Sequence, residues 1–356
     1  MSPPIVVALL DLALRRSVPL LLGLLLSGCA SLDYYAQLGR GQWQLLQARE
    51  PVSQVLADPQ RDPELRRRLA LAQQARDFAS AQLHLPDNQS YRLYAELGRP
   101  YVVWNVFAAP ELSLEPLTHC FPIAGCVAYR GYYQQGRARG AAALLRGEGW
   151  DTYVDGVEAY STLGWFADPI LSSMLRWNDQ RLAATIFHEL AHQQLYVADD
   201  SAFNESFASF VEQQGLRQWQ SSRGLPVQEG NRQREQFTAL MLASRARLQA
   251  LYASPRSDAD KRAGKAAEFT RLRAEYRQLR DREWAGDRRY DAWINAPLNN
   301  AKLLPFGLYD QWVAAFAALF RQVGGNWPAF YARAAEIGAL PAQERTRALT
   351  ALAAGG

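Results

Sequence analysis

The 356-residue chain is short of the residues that most often carry metal and redox chemistry: it has three cysteines and four histidines. That scarcity rules out a zinc ribbon, and no RNP-like strand or long basic run is present. A net charge of +4, dispersed along the chain, is too mild to argue for nucleic acid as a partner. No repeat of 20–50 residues is evident, which excludes solenoids and propellers. Long hydrophobic runs are also missing. The one apolar run near the N-terminus, Val18 to Leu26, is too short to span a bilayer as a permanent helix. What remains is a globular composition, 49% hydrophobic and 21% charged, long enough for one large domain or two small ones.

That short run has a direction. Arg15 and Arg16 precede it and small residues close it, the order of a secretory signal. Its end, Leu26-Ser27-Gly28-Cys29, resembles a bacterial lipobox. The resemblance implies a signal peptide over 1–28, cleavage before Cys29 and lipidation of its thiol. Acyl chains on that residue anchor a protein without a transmembrane helix. Ala30 follows rather than an aspartate, so the expected place is the bacterial envelope, lipid-anchored in the outer membrane and facing the periplasm. Past an export signal, the remaining pair, Cys120 and Cys126, reads as a disulfide, with Pro122 and Gly125 turning the chain between them. A metal cluster with His119 is the weaker alternative, because no partner pair of ligands is in sight.

The pattern along the chain is helix, small sheet, helix. Residues 31–85 read as helical, with Asp62 as an N-cap and Pro63 in the first helical position. Residues 90–97, 100–109 and 126–133 are short, aromatic and β-branched, and read as strands of one sheet, followed by a short helix over 136–148 and a further strand at 151–162. From Asn178 the chain turns helical, with helices expected at 178–197 and 202–215, a loop at 215–230 and a charged hairpin over 231–284 broken at 254–258. The expected class is α+β, mostly helical, with a small mixed sheet beside the 178–197 helix and a helical C-terminal half.

Two histidines lie four apart in "FHELAHQQLYVADDSAFNESFA", residues 187–208. At about 100° per residue, His192 sits near 40° from His188, and Glu189 near 100°. Ile186 and Leu190 fall on the opposite side, suited to a core. The pair of imidazoles is spaced to converge on one zinc ion. A catalytic zinc site wants three protein ligands and an open position. His84 and His119 are distant in sequence, so the third ligand is sought among carboxylates. Glu205 is favoured, reached by a short turn at 198–201, and Asp199, Asp200 and Glu212 are rivals. Asn204 would sit at the mouth of the helix. Asp199 and Asp200 suit capping of the second helix, or orienting an imidazole. Glu189, not a ligand, is placed to take a proton from water made acidic by zinc. The pattern suits metal-assisted hydrolysis of a peptide bond.

These residues resemble those of gluzincin metallopeptidases. "HELAHQ" with "NESFA" is similar to the "HELAHQ…NEGFA" of the aminopeptidase-N type, where the two histidines and the later glutamate bind zinc and the first glutamate is the base. By match these are His188, His192, Glu205 and Glu189. Two departures stand out. Twelve residues separate His192 from Glu205 where that type has eighteen, and the "GAMEN" signature for a substrate's free amine is missing. A closer resemblance is to a bacterial lipoprotein family labelled as aminopeptidases, through "CFPIAGCVAYRGYY", "AYSTLGWFADPILSSML", the motif segment and "LNNAKL". It covers most of the mature chain. It implies a zincin-like catalytic region over 29–230 and a helical region over 231–356 packed on it as one continuous domain. Zincins run an edge strand beside the motif helix that holds peptide by strand addition. Residues 158–166 are the candidate here, with Asp168 or Glu158 to meet a substrate amine, and Tyr132, Tyr160 or Tyr309 to stabilise the oxyanion.

The leading expectation is therefore a zinc-dependent peptidase, an aminopeptidase by resemblance, holding one Zn2+ per chain. Its partners are a peptide substrate and, through Cys29, a membrane. The alternative is a non-catalytic envelope lipoprotein that uses the same fold as a scaffold or binding module. A third reading, a zinc-binding protein without hydrolysis, predicts histidine-rich or acidic loops, and none occur.

Overall fold

A computed structural model describes residues 32–121, 125–159, 161–225 and 232–355, and only the backbone at 307–309. The chain divides into two units, Met1–Ala48 and Arg49–Gly356. In the first, the described residues form one helix, α1 (32–47). The expected signal peptide and Cys29 lie outside the described residues. With 61% helix and 11% strand, the protein is α+β and mostly helical. Among the described residues, no helix is long and apolar enough to cross a membrane.

The second unit opens with β1 (Arg49–Pro51), α2 (Val52–Ala57) and α3 (Pro63–Ala81). Asp62 caps α3 by accepting from the Glu64 amide, and Pro63 takes the first turn, where its missing N–H costs nothing. The strand segments do not form one sheet. β2 (Leu93–Ala95) pairs antiparallel with β1 and parallel with β8 (Ile170–Leu171), giving a small mixed sheet. β3 (Val103–Pro110) is the centre of a separate antiparallel sheet, flanked by β6 (Tyr129–Tyr132) and β7 (Trp150–Val157). The turn after β2 explains the division. Gly98 is left-handed there, and Arg99 donates to the carbonyls of Val102 and Tyr133, sending β3 away from β2 towards β6. A third piece, the hairpin of β4 (His119–Phe121) and β5 (Gly125–Val127), carries the Cys120–Cys126 disulfide at paired positions.

β3 is buried along six consecutive residues because helices cover both faces of its sheet, so it reads as an apolar run broken only by the buried Asn105. α4 (Gln135–Gly147) packs on one side. On the other lies α10 (Asn300–Tyr309), whose Ala301 and Leu304 meet Phe107 and Ala109. The "LNNAKL" segment makes this attachment. Asn299 caps α10 and donates to the Thr152 carbonyl. Asn300 donates to the carbonyls of Pro110, Glu111 and Ser113.

The helical core is built on α5 (Asp179–Gln194) and α6 (Ser201–Ser222). Asn178 caps α5 by accepting from the Arg181 amide. Leu182, Ile186, Phe187 and Leu190 are fully buried against α3 and α6. α6 runs through the stretch expected to be a loop from 215. Gly215 does not end it, because that position is where Leu83 and Phe187 press against the helix, and a Cβ would meet Leu83 at 2.7 Å. Trp219, one turn on, packs edge-to-face on Phe78, and the left-handed Gly224 follows the helix end. α7 (Arg232–Ala253) and α8 (Asp258–Glu283) form the expected charged hairpin. α9 (Asp291–Asn295), α11 (Val313–Gln322), α12 (Trp327–Gly338) and α13 (Ala342–Ala354) complete the chain. α11 and α12 bring Phe316 and Phe330 onto Phe207 of α6.

Candidate metal centre

α5 and α6 lie against each other, joined by a turn built to be tight. The amide of Asn204 in α6 donates to the Val197 carbonyl, and its carbonyl accepts from the Val197 N–H, both at 2.7 Å. Asp199 is left-handed, and Asp200 caps α6 at the Phe203 amide while its other oxygen accepts from Arg345 in α13. These bonds of Asn204 and Asp200 thus go to the turn, the α6 cap and Arg345. The hairpin braces the same turn from outside. Asp199 Oδ1 accepts from the Cys126 amide, and Gly125 lies so close that a Cβ there would stand 2.6 Å from Asp199 Oδ1.

The fold-back brings Glu205 between the two imidazoles. Nε2 of His188 is 3.4 Å, and Nε2 of His192 3.6 Å, from the same oxygen, Glu205 Oε2. One ligand atom from each residue lies within 4.8 Å of the others. Donors bound to a tetrahedral zinc at ~2.0–2.1 Å stand about 3.4 Å apart, so the spacing fits. Glu205 Oε2 is buried and has no hydrogen-bond partner, an arrangement that a shared cation would satisfy. Two imidazoles and one carboxylate, with further coordination left open, are the donor set of a catalytic zinc site. His84 and His119 are not part of the group.

Glu212, a rival for the third ligand, has another position. Nδ1–H of His188 donates to Glu212 Oε2 at 3.0 Å, and Arg234 in α7 donates to Glu212 Oε1 at 3.2 Å. A carboxylate on Nδ1 fixes the tautomer and turns the Nε2 lone pair towards the shared space. Burial works against charge on Glu212, but Arg234 and His188 outweigh it and hold its carboxyl at about 2. Glu205 is likewise opposed by burial and held at about 2 by His192 and His188. Burial disfavours the His188 imidazolium, yet Glu205 and Glu212 raise it to about 10. The pocket is electrostatically prepared for a cation.

Glu189 is 8% exposed and stands beside the group. Burial raises its carboxyl, opposed by His188 and His192 and helped by Glu205 and Asp168. The segment 158–166, expected as an edge strand, contains no strand among its described residues. Its course is set by Asp168, buried to 4%, which accepts from the Thr162 amide at 2.9 Å and the Thr162 hydroxyl at 2.7 Å, drawing the chain into a turn with left-handed Leu163 and Gly164. Glu158 accepts from Trp177 and Arg181. Both carboxylates offered for a substrate amine are therefore engaged within the protein. Tyr132 is buried in β6 opposite Trp104. Tyr160 and the Tyr309 side chain lie outside the described residues.

Three residues of this neighbourhood have no motif to announce them. Arg234 reaches Glu212 from α7. Gln193, next to His192, donates to Asp168 Oδ2 at 3.3 Å and Ser161 at 3.4 Å. Tyr196 lies just past α5, where burial, Glu205 and Asp199 raise its phenol and keep it a donor. Its place four residues after His192 is the one signal the sequence offers.

No curated protein and no solved structure matches the chain. A family profile does, over residues 33–349, from α1 to α13 and across every element that builds this centre. The chain belongs to the family described as "Putative aminopeptidase", a membership that suggests peptidase activity.

Proposed function

We propose that the protein is a zinc-dependent peptidase, an aminopeptidase in the first instance, held in the bacterial envelope by a lipid on Cys29. The observation that carries the chemistry is the convergence of His188 and His192 on one buried oxygen of Glu205, with Glu189 beside them. His188 Nε2, His192 Nε2 and Glu205 would hold the ion. Once bound there, zinc polarises a carbonyl and makes water acidic near neutral pH.

The rest of the chemistry belongs to the chain's own residues. Glu189 accepts a proton from the attacking water at its carboxylate and delivers it to the departing amine. Its burial fits that work, since a raised carboxyl pKa lets one group serve as base and then acid. Glu212 and Arg234 keep His188 neutral at Nε2 by holding the proton at Nδ1. The scaffold alternative has no such use for Glu189, and a buried carboxylate without a task is costly to keep.

The test is direct. Residues 30–356, purified without chelator, should carry one zinc per chain. Glu189→Gln should keep the metal and lose roughly 10²–10⁴-fold in peptide hydrolysis. A chain free of zinc, or a Gln variant as active as the parent, would remove the basis of the reading. Peptides with free and acetylated N-termini decide the aminopeptidase assignment, and equal cleavage of both argues for an endopeptidase.

A further inference from the structure

The loop after β7 ends in an apolar tip. Trp165 and Phe166 are 67% and 45% exposed, side by side behind the left-handed Gly164. Two adjacent aromatic rings in water are an unusual use of surface, and this tip is fastened in place. The buried Asp168 carboxylate gathers Thr162 and Ser161, and Gln193 binds it from α5. Gln193 is itself fixed, donating to Ser90 at 3.2 Å and accepting from Asn88 at 2.8 Å. Gly164 sits over the same amide, its Cβ direction 3.8 Å from Gln193 Oε1. Gln193 follows the ligand His192 directly and stands one turn beyond Glu189, on the same strip of α5. The loop is therefore bolted to the motif helix on the side where the base stands.

We propose that loop 161–167 is a substrate subsite, in which Trp165 and Phe166 receive an apolar or aromatic side chain of the peptide, and that Asp168 and Gln193 are the residues that position it. The inference rests on the peptidase reading and names its substrate class: peptides with a large apolar side chain next to the cleaved bond. The loop takes the place of the strand expected there, so specificity comes from contact with a side chain more than from pairing with the peptide backbone. The loop's attachment to α5 through Gln193, directly beside His192, favours substrate over a membrane surface as the occupant.

The experiment measures binding, so that it stands apart from turnover. Zinc-loaded residues 30–356 carrying Glu189→Gln are titrated calorimetrically with tri-alanine and with tripeptides in which one Phe or Leu moves through the three positions. One position should bind roughly tenfold tighter with the apolar residue than with alanine. Trp165→Ala with Phe166→Ala should bring that ratio near one, and Leu144→Ala, on an exposed residue of α4, should leave it. Gln193→Glu sets two carboxylates against each other and should lower the ratio, and adding Asp168→Asn should restore part of it, which a general loss of stability would not. A ratio near one in the intact loop, or a ratio indifferent to the aromatic pair, overturns the proposal. So does a pair of variants that lose binding to neutral phospholipid vesicles while keeping the peptide ratio. Hydrolysis by the chain that retains Glu189 decides the peptidase reading separately.

Discussion

Three carboxylates, Glu189, Glu205 and Glu212, share a buried pocket with two imidazoles, and the division of labour follows from what each oxygen touches. Glu212 is the one whose task is testable without catalysis. Glu212→Gln keeps a hydrogen-bond acceptor for Nδ1 but loses the charge that favours a cation at Nε2. Zinc affinity, measured by competition with a chelator, should fall about 10–100-fold. Affinity within twofold of the parent would show that His188 needs no such partner. A second prediction concerns Lys302, 4% exposed, whose ammonium donates to the Trp293 carbonyl. Burial, with Arg273 adding to it, lowers the ammonium to about 8 from 10.5. The unfolded chain then binds the proton more tightly than the fold, so stability rises with pH between about 8 and 10.5, by roughly 3 kcal/mol in full. Lys302→Met should remove that rise in urea denaturation at pH 7.5 and 10, and parallel curves for both proteins would refute it. At this scale the sequence was most readable where chemistry is local. His188, Glu189 and His192 share one helical arc, and Glu205 needs only a short turn to join them. The Glu212–Arg234 pair was out of reach, because the sequence does not show that α10 packs on both α6 and α7 and so brings the two residues within reach.

Among the elements, the α5–α6 turn decides whether a centre exists at all. Glu205 reaches the imidazoles because Asn204, Asp199 and Asp200 hold that turn, so its polar residues serve geometry before chemistry. Asn204→Ala would remove both side-chain partners of the half-buried Val197, leaving its N–H unpaired and its carbonyl with only the Asp200 amide. The expected cost is about 1–3 kcal/mol in denaturant unfolding, with weaker zinc binding as α6 loosens. A change in stability below about 0.5 kcal/mol, or unchanged metal affinity, would show that other contacts set the turn. The same element-level view explains what the sequence did not disclose. Strand-like segments were visible at 90–97 and 100–109, but which strand each would pair with depended on Arg99 reaching Tyr133 across the chain. Residues 215–222 looked like a loop because glycine usually ends a helix. Here Gly215 is a site of close approach, and Trp219 supplies the burial that keeps α6 going. The 158–166 segment has the β-branched and aromatic look of a strand, yet one buried carboxylate six residues past Thr162 folds it into a loop.

For the whole molecule, every residue of the centre lies in the unit Arg49–Gly356, and the family match extends across it. The proposed anchoring is a separate matter, and its signal lies ahead of that unit in the sequence. The apolar run before Cys29 is too short to remain as a membrane span, and among the described residues no other helix could replace it. In the reading proposed above, attachment comes from acyl chains on Cys29. A single chain holds a protein only marginally, and two or three hold it stably, so removing the thiol should abolish attachment outright. Cys29→Ser expressed in a bacterial host should leave the detergent-extracted membrane fraction, take up no labelled fatty acid, and appear in the soluble part of the envelope. Because the metal ligands and the base are supplied by α5 and α6, its zinc content and its turnover of soluble peptides should stay within about twofold of the anchored protein. A variant that still sediments with membranes would place the attachment elsewhere in the chain. A variant that is soluble but inactive would show that the anchor does more than hold the enzyme at the surface.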